Sequence, residues 1–133
     1  MTITRTNPVG LHGTPGYHHV TVVSAGRTAY LAGQCPLDST GALVGPGDVG
    51  AQVDQVVANT MAVLASIGAG PEDVVRTVIY VVSDDRSVLG GVWSRLRESP
   101  LAAAFASAST LLGVAQLGFT DQLVELDVTA ALP

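Results

Sequence analysis

The sequence predicts an α+β fold: one sheet built in the order ββαβαββ, with two helices packed on one of its faces. Three observations predict it. From Asp48 the apolar residues switch to helical spacing, with Val49, Val53, Val56, Thr60, Val63, Leu64 and Ile67 at i, i+3/i+4. The run "PEDVVRTVIYVVS" (71–83) is rich in β-branched residues. The closing "QLVELDVTAAL" alternates strictly, with Val124, Leu126 and Val128 on one side and Glu125, Asp127 and Thr129 on the other.

The elements follow in order. Residues 1–15 read as an irregular N-terminal segment of a single domain spanning 1–133. "HVTVVSAGRTAYLAGQ" reads as two short strands around the turn Ser24-Ala25-Gly26-Arg27. "PLDSTGALVGPGD" is a loop. A helix is expected over 48–67, with Asp48 capping its start and Gly68 just past its end. Its polar side, Gln52, Gln55, Asn59 and Ser66, is thin for a solvated face. Strand 71–83 follows, buried on at least one face. A second helix is expected at about 85–98, capped by Asp84 or Asp85, with an apolar stripe of Val88, Leu89, Val92, Trp93 and Leu96. Gly90 and Gly91 weaken it by roughly 1 kcal/mol each relative to Ala. Two strands, in "FASASTLLGVAQL" and "QLVELDVTAAL", close the chain. The apolar side of the last belongs under the helices. The other side carries two carboxylates, which repel unless wet or paired.

The 133 residues suit one domain, and 47% are apolar while only 13% are charged. That charged share is about half the usual value. Such a chain is either a compact Ala/Val/Gly-rich domain or one that buries surface against other copies of itself; the second reading is preferred. The net charge is −5, and every basic residue is an arginine. Without lysine there is no Schiff base and no phosphate-loop cation. The arginines are scattered, so no nucleic-acid partner is expected. One cysteine excludes an internal disulfide and a multi-cysteine metal site. Neither a signal core nor a membrane-spanning run is visible, so no membrane partner and a cytoplasmic location are expected.

"GY" before the first strand, "LAGQCPLDSTGALVG", the Gly68-Ala69 helix end, "DVVRTVIYV" and the closing "VELDV" together resemble the RidA/YjgF/UK114 family, from about Tyr17 to Leu132. The loop "GQCPLDSTGALVG" carries most of the likeness, one spacer residue shorter than the family's pattern. The resemblance implies a chorismate mutase-like/YjgF-like fold. It also implies a homotrimer with small-molecule pockets in the clefts between subunits, and no cofactor. Described members hydrolyse reactive enamines and imines to keto acids and ammonia, and some carry the older label of endoribonuclease. Carried over residue by residue, the resemblance places a pocket tyrosine at Tyr17 and a pocket glycine at Gly33. The glutamate that positions the attacking water falls at Glu125. Three polar positions are lost: the usual serine is Ala32, the usual asparagine is Gly90, and the arginine that grips a substrate carboxylate is Ser109. An arginine fork supplies two charge-assisted hydrogen bonds that serine cannot replace. The implied function is an imine/enamine hydrolase with a non-standard pocket. The alternative is a non-catalytic trimeric binding or interaction module.

Individual residues stay open between two readings. Glu125 positions water, or is a strand carboxylate at a subunit contact. Tyr17 bonds a ligand, or anchors an interface. Cys35 stands where the family has an aliphatic pocket residue, so it lines the pocket as a small hydrophobe, or pairs with His18 or His19 as a nucleophile. Asp127 reads as structural. Arg86, where relatives have a phenylalanine, is a surface residue or a displaced cation. His12, His18 and His19 are close in sequence, but adjacent strand residues face opposite ways, so no metal site is expected.

Overall fold

The computed structural model describes residues 2–133. The strands are β1 (Ile3–Thr6), β2 (Val20–Val23), β3 (Arg27–Tyr30), β4 (Val74–Val82), β5 (Ala108–Val114) and β6 (Val124–Leu132); the helices are α1 (Val49–Ser66) and α2 (Arg86–Arg97). Short 3₁₀ turns at Pro71–Asp73 and Ala102–Ala106 lead into β4 and β5. The main sheet is mixed, in the order β3-β6-β4-β5. β4 and β5 run parallel, joined by α2 as the crossover, and the other pairs are antiparallel.

The α+β reading holds, with one correction. The two opening strands exist but do not form a hairpin with each other. β2 pairs with β1 in a separate two-stranded ribbon, whereas β3 pairs with β6. The expected irregular N-terminus thus contains a strand. Four residues, ITRT, are too few to show a period. Its position is set from a distance, by Arg5. The Arg5 Nε donates to Ser107 Oγ at 2.9 Å, and Nη2 to the carbonyls of Glu72 and Val74, each at 3.0 Å. One guanidinium therefore ties the ribbon to the entry of β4.

α1 begins where Asp48 accepts the Ala51 N–H at 3.0 Å, and ends at Gly68, whose φ of +73° suits a residue without a Cβ. α2 is capped by Asp85, which accepts the Ser87 N–H at 2.8 Å. Both helices cover the same face of the sheet. Val53, Val56, Leu64, Val92 and Leu96 meet Ile79, Val81, Val124, Leu126 and Val128 in one core, with Phe105 beside them. Each such side chain contributes about 1.5–3 kcal/mol of burial. The predicted alternation of β6 is seen: Val124, Leu126 and Val128 are buried, while Glu125, Asp127 and Thr129 are half-buried on the face away from the helices.

The polar side of α1, thin for a solvated face, holds loops instead of facing water. Gln52 is fully buried. Its Nε2 donates to the carbonyls of Gly45 and Asp121, each at 3.1 Å, and its Oε1 accepts the Leu123 N–H at 2.7 Å. Asn59 donates to the carbonyls of Cys35 and Leu37 at 3.0 and 2.9 Å, and accepts from Gln55 at 2.9 Å. These amides replace the backbone pairing that the loops lack. They fix residues 35–45 and the approach to β6 against one rigid helix.

Candidate functional site

The loop after β3 crosses β6 at one point. Gln34 and Leu126 exchange backbone hydrogen bonds at 2.7 and 3.1 Å. That bridge sets Gly33 and Cys35 on either side of it, facing the next β6 residue on the open face, Glu125. The carboxylate of Glu125 lies directly on Gly33: a Cβ there would stand 2.9 Å from its Cδ. Its Oε1 accepts two donors, Cys35 Sγ at 3.2 Å and Gln122 Nε2 at 3.1 Å. Gln122 is itself buried, holding the Val124 carbonyl at 3.0 Å and accepting the Phe119 N–H at 3.1 Å. A hollow of about 290 Å³ opens here, lined by Leu31, Gly33, Tyr80, Leu117, Glu125 and Asp127.

Within one chain, this arrangement bears on the roles open to Cys35. Burial and the neighbouring Glu125 carboxylate push its thiol up to about 11. At neutral pH it is a thiol, not the thiolate that a nucleophile requires. Within one chain, neither His18 nor His19 is bonded to it. His18 Nδ1 is 2.6 Å from the Ala106 carbonyl, and His19 Nε2 is 3.0 Å from the His12 carbonyl. The cysteine is a donor to the carboxylate.

Tyr17 and Ser109 lie elsewhere. They line a larger cleft, of about 640 Å³, with Pro15, Gly90, Trp93, Ser94, Thr110 and Leu111. Ser109 stands opposite Thr77 on β4, and Thr77 stands opposite Val128 on β6. Thr77 and Val128 are buried beneath the helices. Glu125 is opposite Tyr80, three residues further along β4 and therefore on the other face. Within one chain, Ser109 and Glu125 are on opposite faces of the sheet. The Ser109 hydroxyl is also engaged, accepting from Thr77 at 2.5 Å and donating to the Ser107 carbonyl at 3.0 Å.

The wall of this cleft is the segment before β2, clamped onto α2. Trp93 Nε1 and Arg97 Nη1 both donate to the Pro15 carbonyl, at 3.1 and 2.8 Å. Gly16, at φ +119°, lies against the Arg97 guanidinium with no room for a side chain. Tyr17, Trp93 and Phe105 follow edge to face, with ring centroids 6.2 and 5.8 Å apart. Gly90 gives the cleft its room: a Cβ there would meet nothing within 4 Å. No lining residue of this cleft carries a charge.

Sequence reasoning missed Gln122, Asn59 and Tyr80. A glutamine in a loop three residues before a strand glutamate carries no pattern of its own. Arg86 is exposed at the first turn of α2. Among the described residues, no group of three or more His, Cys, Asp or Glu could hold a metal ion, and no helix is long and apolar enough to cross a membrane.

Known proteins match this chain along nearly its whole length. The family model described as endoribonuclease L-PSP matches residues 12–132. A RutC family protein of Synechocystis, slr0709, is 34% identical over 113 residues, covering 84% of this chain and 83% of that protein. The crystal structure of YyfB from Yersinia pestis, described as a protein of unknown function of the conserved Rid protein family, superposes with a TM-score of 0.90 at 34% identity, covering 99% of this chain and 100% of that one. A putative endoribonuclease from Thermotoga maritima superposes with a TM-score of 0.65 at 26% identity, covering 97% and 92%.

Proposed function

Because the chain belongs to the endoribonuclease L-PSP family, that of the YjgF and Rid proteins, we propose that it is a small-molecule hydrolase acting on the C=N bond of an uncharged imine or enamine. The observation that carries this reading is the seat of Glu125: a carboxylate that lines a hollow, fixed over a glycine by two donors to one oxygen, while its second oxygen, against Gly33, takes no donor among the described residues. An ionised carboxylate only accepts hydrogen bonds. Oε2 is therefore placed to take a proton from a water. The resulting hydroxide adds to the imine carbon and the proton passes to nitrogen; the hydroxyl proton then follows to nitrogen as the C–N bond breaks, giving a carbonyl compound and ammonia. Water, imine and products balance without a cofactor.

The substrate class follows from the Tyr17 cleft. Its lining residues are aromatic, aliphatic and hydroxyl-bearing, and the two arginines at its rim, Arg97 and Arg76, are engaged with the Pro15 carbonyl and the Thr110 hydroxyl. Burying an unpaired carboxylate there would cost several kcal/mol. Glu125 and the Tyr17 cleft cannot serve one ligand within a protomer, since they open on opposite faces. In the homotrimer proposed here, the cleft of one copy meets the Glu125 hollow of the next. The "endoribonuclease" in the family description does not extend to this chain in our reading. At a net charge of −5, no clustered arginines neutralise phosphates.

The test is hydrolysis of imines generated in situ, comparing those derived from α-amino acids with those from neutral amines. Faster turnover of the neutral imines, abolished by Glu125→Gln, is expected. Preference for carboxylate-bearing imines would overturn the substrate class, and no turnover of either would overturn the hydrolase. One observation favours a second reading, a non-catalytic binding module: the hydroxyl of Ser109 is spent on Thr77 and Ser107 rather than offered to a ligand.

A further inference from the structure

We propose that Cys35 is a positioning residue for Glu125: its S–H, together with the Gln122 amide, holds the carboxylate over Gly33 by Oε1 and leaves Oε2 without a protein donor. The inference rests on the reading of Glu125 as the group that orients water. It goes beyond it by giving a task to the chain's one cysteine.

The geometry is that of a three-sided seat. Gly33 forms the floor, with no Cβ to lift the carboxylate. Gln122 closes one side at 3.1 Å and cannot swing away, because its other contacts, to Val124 and Phe119, are backbone groups at 3.0 and 3.1 Å. Cys35 closes the other side at 3.2 Å, within range for a sulfur donor. Its backbone is immobilised in turn, since its carbonyl receives the Asn59 amide at 3.0 Å. Asn59 therefore acts through Cys35, and α1 reaches the carboxylate by two bonds in series. Both donors meet the same oxygen, Oε1; Oε2 lies against Gly33 and takes no hydrogen bond from the described residues. Tyr80 and Asp127 share the hollow, but Glu125 is the charged group whose hydrogen bond and field act on the thiol.

The choice of sulfur has a chemical consequence. A hydroxyl would make a shorter and stronger bond to the carboxylate, and a methyl group would make none. The thiol is a weak donor. It fixes the direction of the carboxylate while withdrawing less of its electron density than serine would. Its own raised affinity for the proton keeps that donor in place across the physiological range.

Two measurements test this, the first without any turnover. The sequence holds a single cysteine, so the S–H stretching band in the Raman spectrum of the intact assembly reports Cys35 alone. A band lowered by hydrogen bonding is expected in the native protein and a higher, narrower one in Glu125→Ala, which has no acceptor there. Alkylation by iodoacetamide at pH 8 should accelerate about tenfold in Glu125→Gln, the effect of one pKa unit on the thiolate fraction. An unchanged band and an unchanged alkylation rate would overturn the contact. The second measurement is kinetic, on an imine that the native protein hydrolyses. Cys35→Ala should lower kcat about tenfold with KM unchanged, and Cys35→Ser should restore most of it. Equal kcat in Cys35→Ala and native protein would overturn the positioning role even if the Raman shift is present. A native protein that hydrolyses no imine fails the hydrolase reading instead, and the Raman and alkylation results then still decide whether the thiol holds the carboxylate.

Discussion

Gly33→Ala is the substitution on which the candidate site turns. The φ of Gly33 lies outside the left-handed region, so alanine meets no backbone strain there. On unfolded-state grounds alone it would stabilise the fold by about 0.4–1 kcal/mol. What opposes it is one contact. The new Cβ would lie 2.9 Å from Glu125 Cδ and 3.3 Å from Cγ, so the carboxylate must leave its seat. Leaving breaks the bonds from Cys35 and Gln122. Hydrogen bonds to a charged group are worth about 1.5–3 kcal/mol each, and water replaces part of that for a half-buried side chain. The Gln122 amide, being buried, has no such replacement. A net destabilisation of about 1–3 kcal/mol is expected from urea unfolding. Imine hydrolysis should fall about a hundredfold, the usual cost of a reacting group misplaced by an ångström. The double variant Gly33→Ala/Glu125→Ala separates the causes, because without the carboxylate there is nothing to strike. It should be more stable than the sum of the singles predicts, by about 0.5–3 kcal/mol. Additive free energies would refute the contact, and a fully active Gly33→Ala would refute the role given to Glu125.

Three further outcomes are expected. Gln52→Leu leaves the carbonyls of Gly45 and Asp121 and the Leu123 N–H without their partner, and should lower stability by about 3 kcal/mol or more in chemical denaturation. Gly91→Ala adds a Cβ that meets nothing within 4 Å on α2, so it should raise stability by up to about 1 kcal/mol in the same assay. The pH dependence has a definite sign: the folded thiol of Cys35 keeps its proton to about 11 while the unfolded thiol loses it near 9.0, so stability falls with rising pH through that window. Thermal midpoints measured from pH 8 to 11 should decline less steeply in Cys35→Ala than in the native protein.

Much of the frame was legible because it rests on period. α1, α2, β4 and β6 each bury a face that repeats along many residues, and their predicted bounds differ from the observed ones by at most three residues. Asp48, Asp85 and Gly68 act at the helix ends as their residue types dictate. The opening strands were misread because pairing is not a local property. "SAGR" looks like a hairpin turn, yet β1 and β6 compete for β2 and β3 and take them. Gly33 and Glu125 could be singled out through the family resemblance. What remained hidden is what holds them. Gln122 and Asn59 act through single bonds to one carboxylate and to two loop carbonyls, and the helical pattern marked the side of Gln52 and Asn59 as thin for a solvated face without giving its partners. No period marks a glutamine whose partners lie about 70 positions away.

The placement of Ser109 bears most on function, because the family resemblance alone suggests that arginine at this position would restore anion binding beside Glu125. The strand register says otherwise for a single chain. A residue at 109 points to the helix side with Thr77, and Glu125 points to the open side with Tyr80. Ser109→Arg would also remove the acceptor of the Thr77 hydroxyl beneath the helices. Any gain in keto-acid binding must therefore come from an arginine of one copy reaching the Glu125 hollow of another. Titration with pyruvate under conditions where sedimentation shows the assembly intact, and again where it has dissociated, distinguishes the two geometries. Binding by Ser109→Arg in the assembled state alone is the expected result, and equal binding by dissociated chains would show that one protomer holds the complete site.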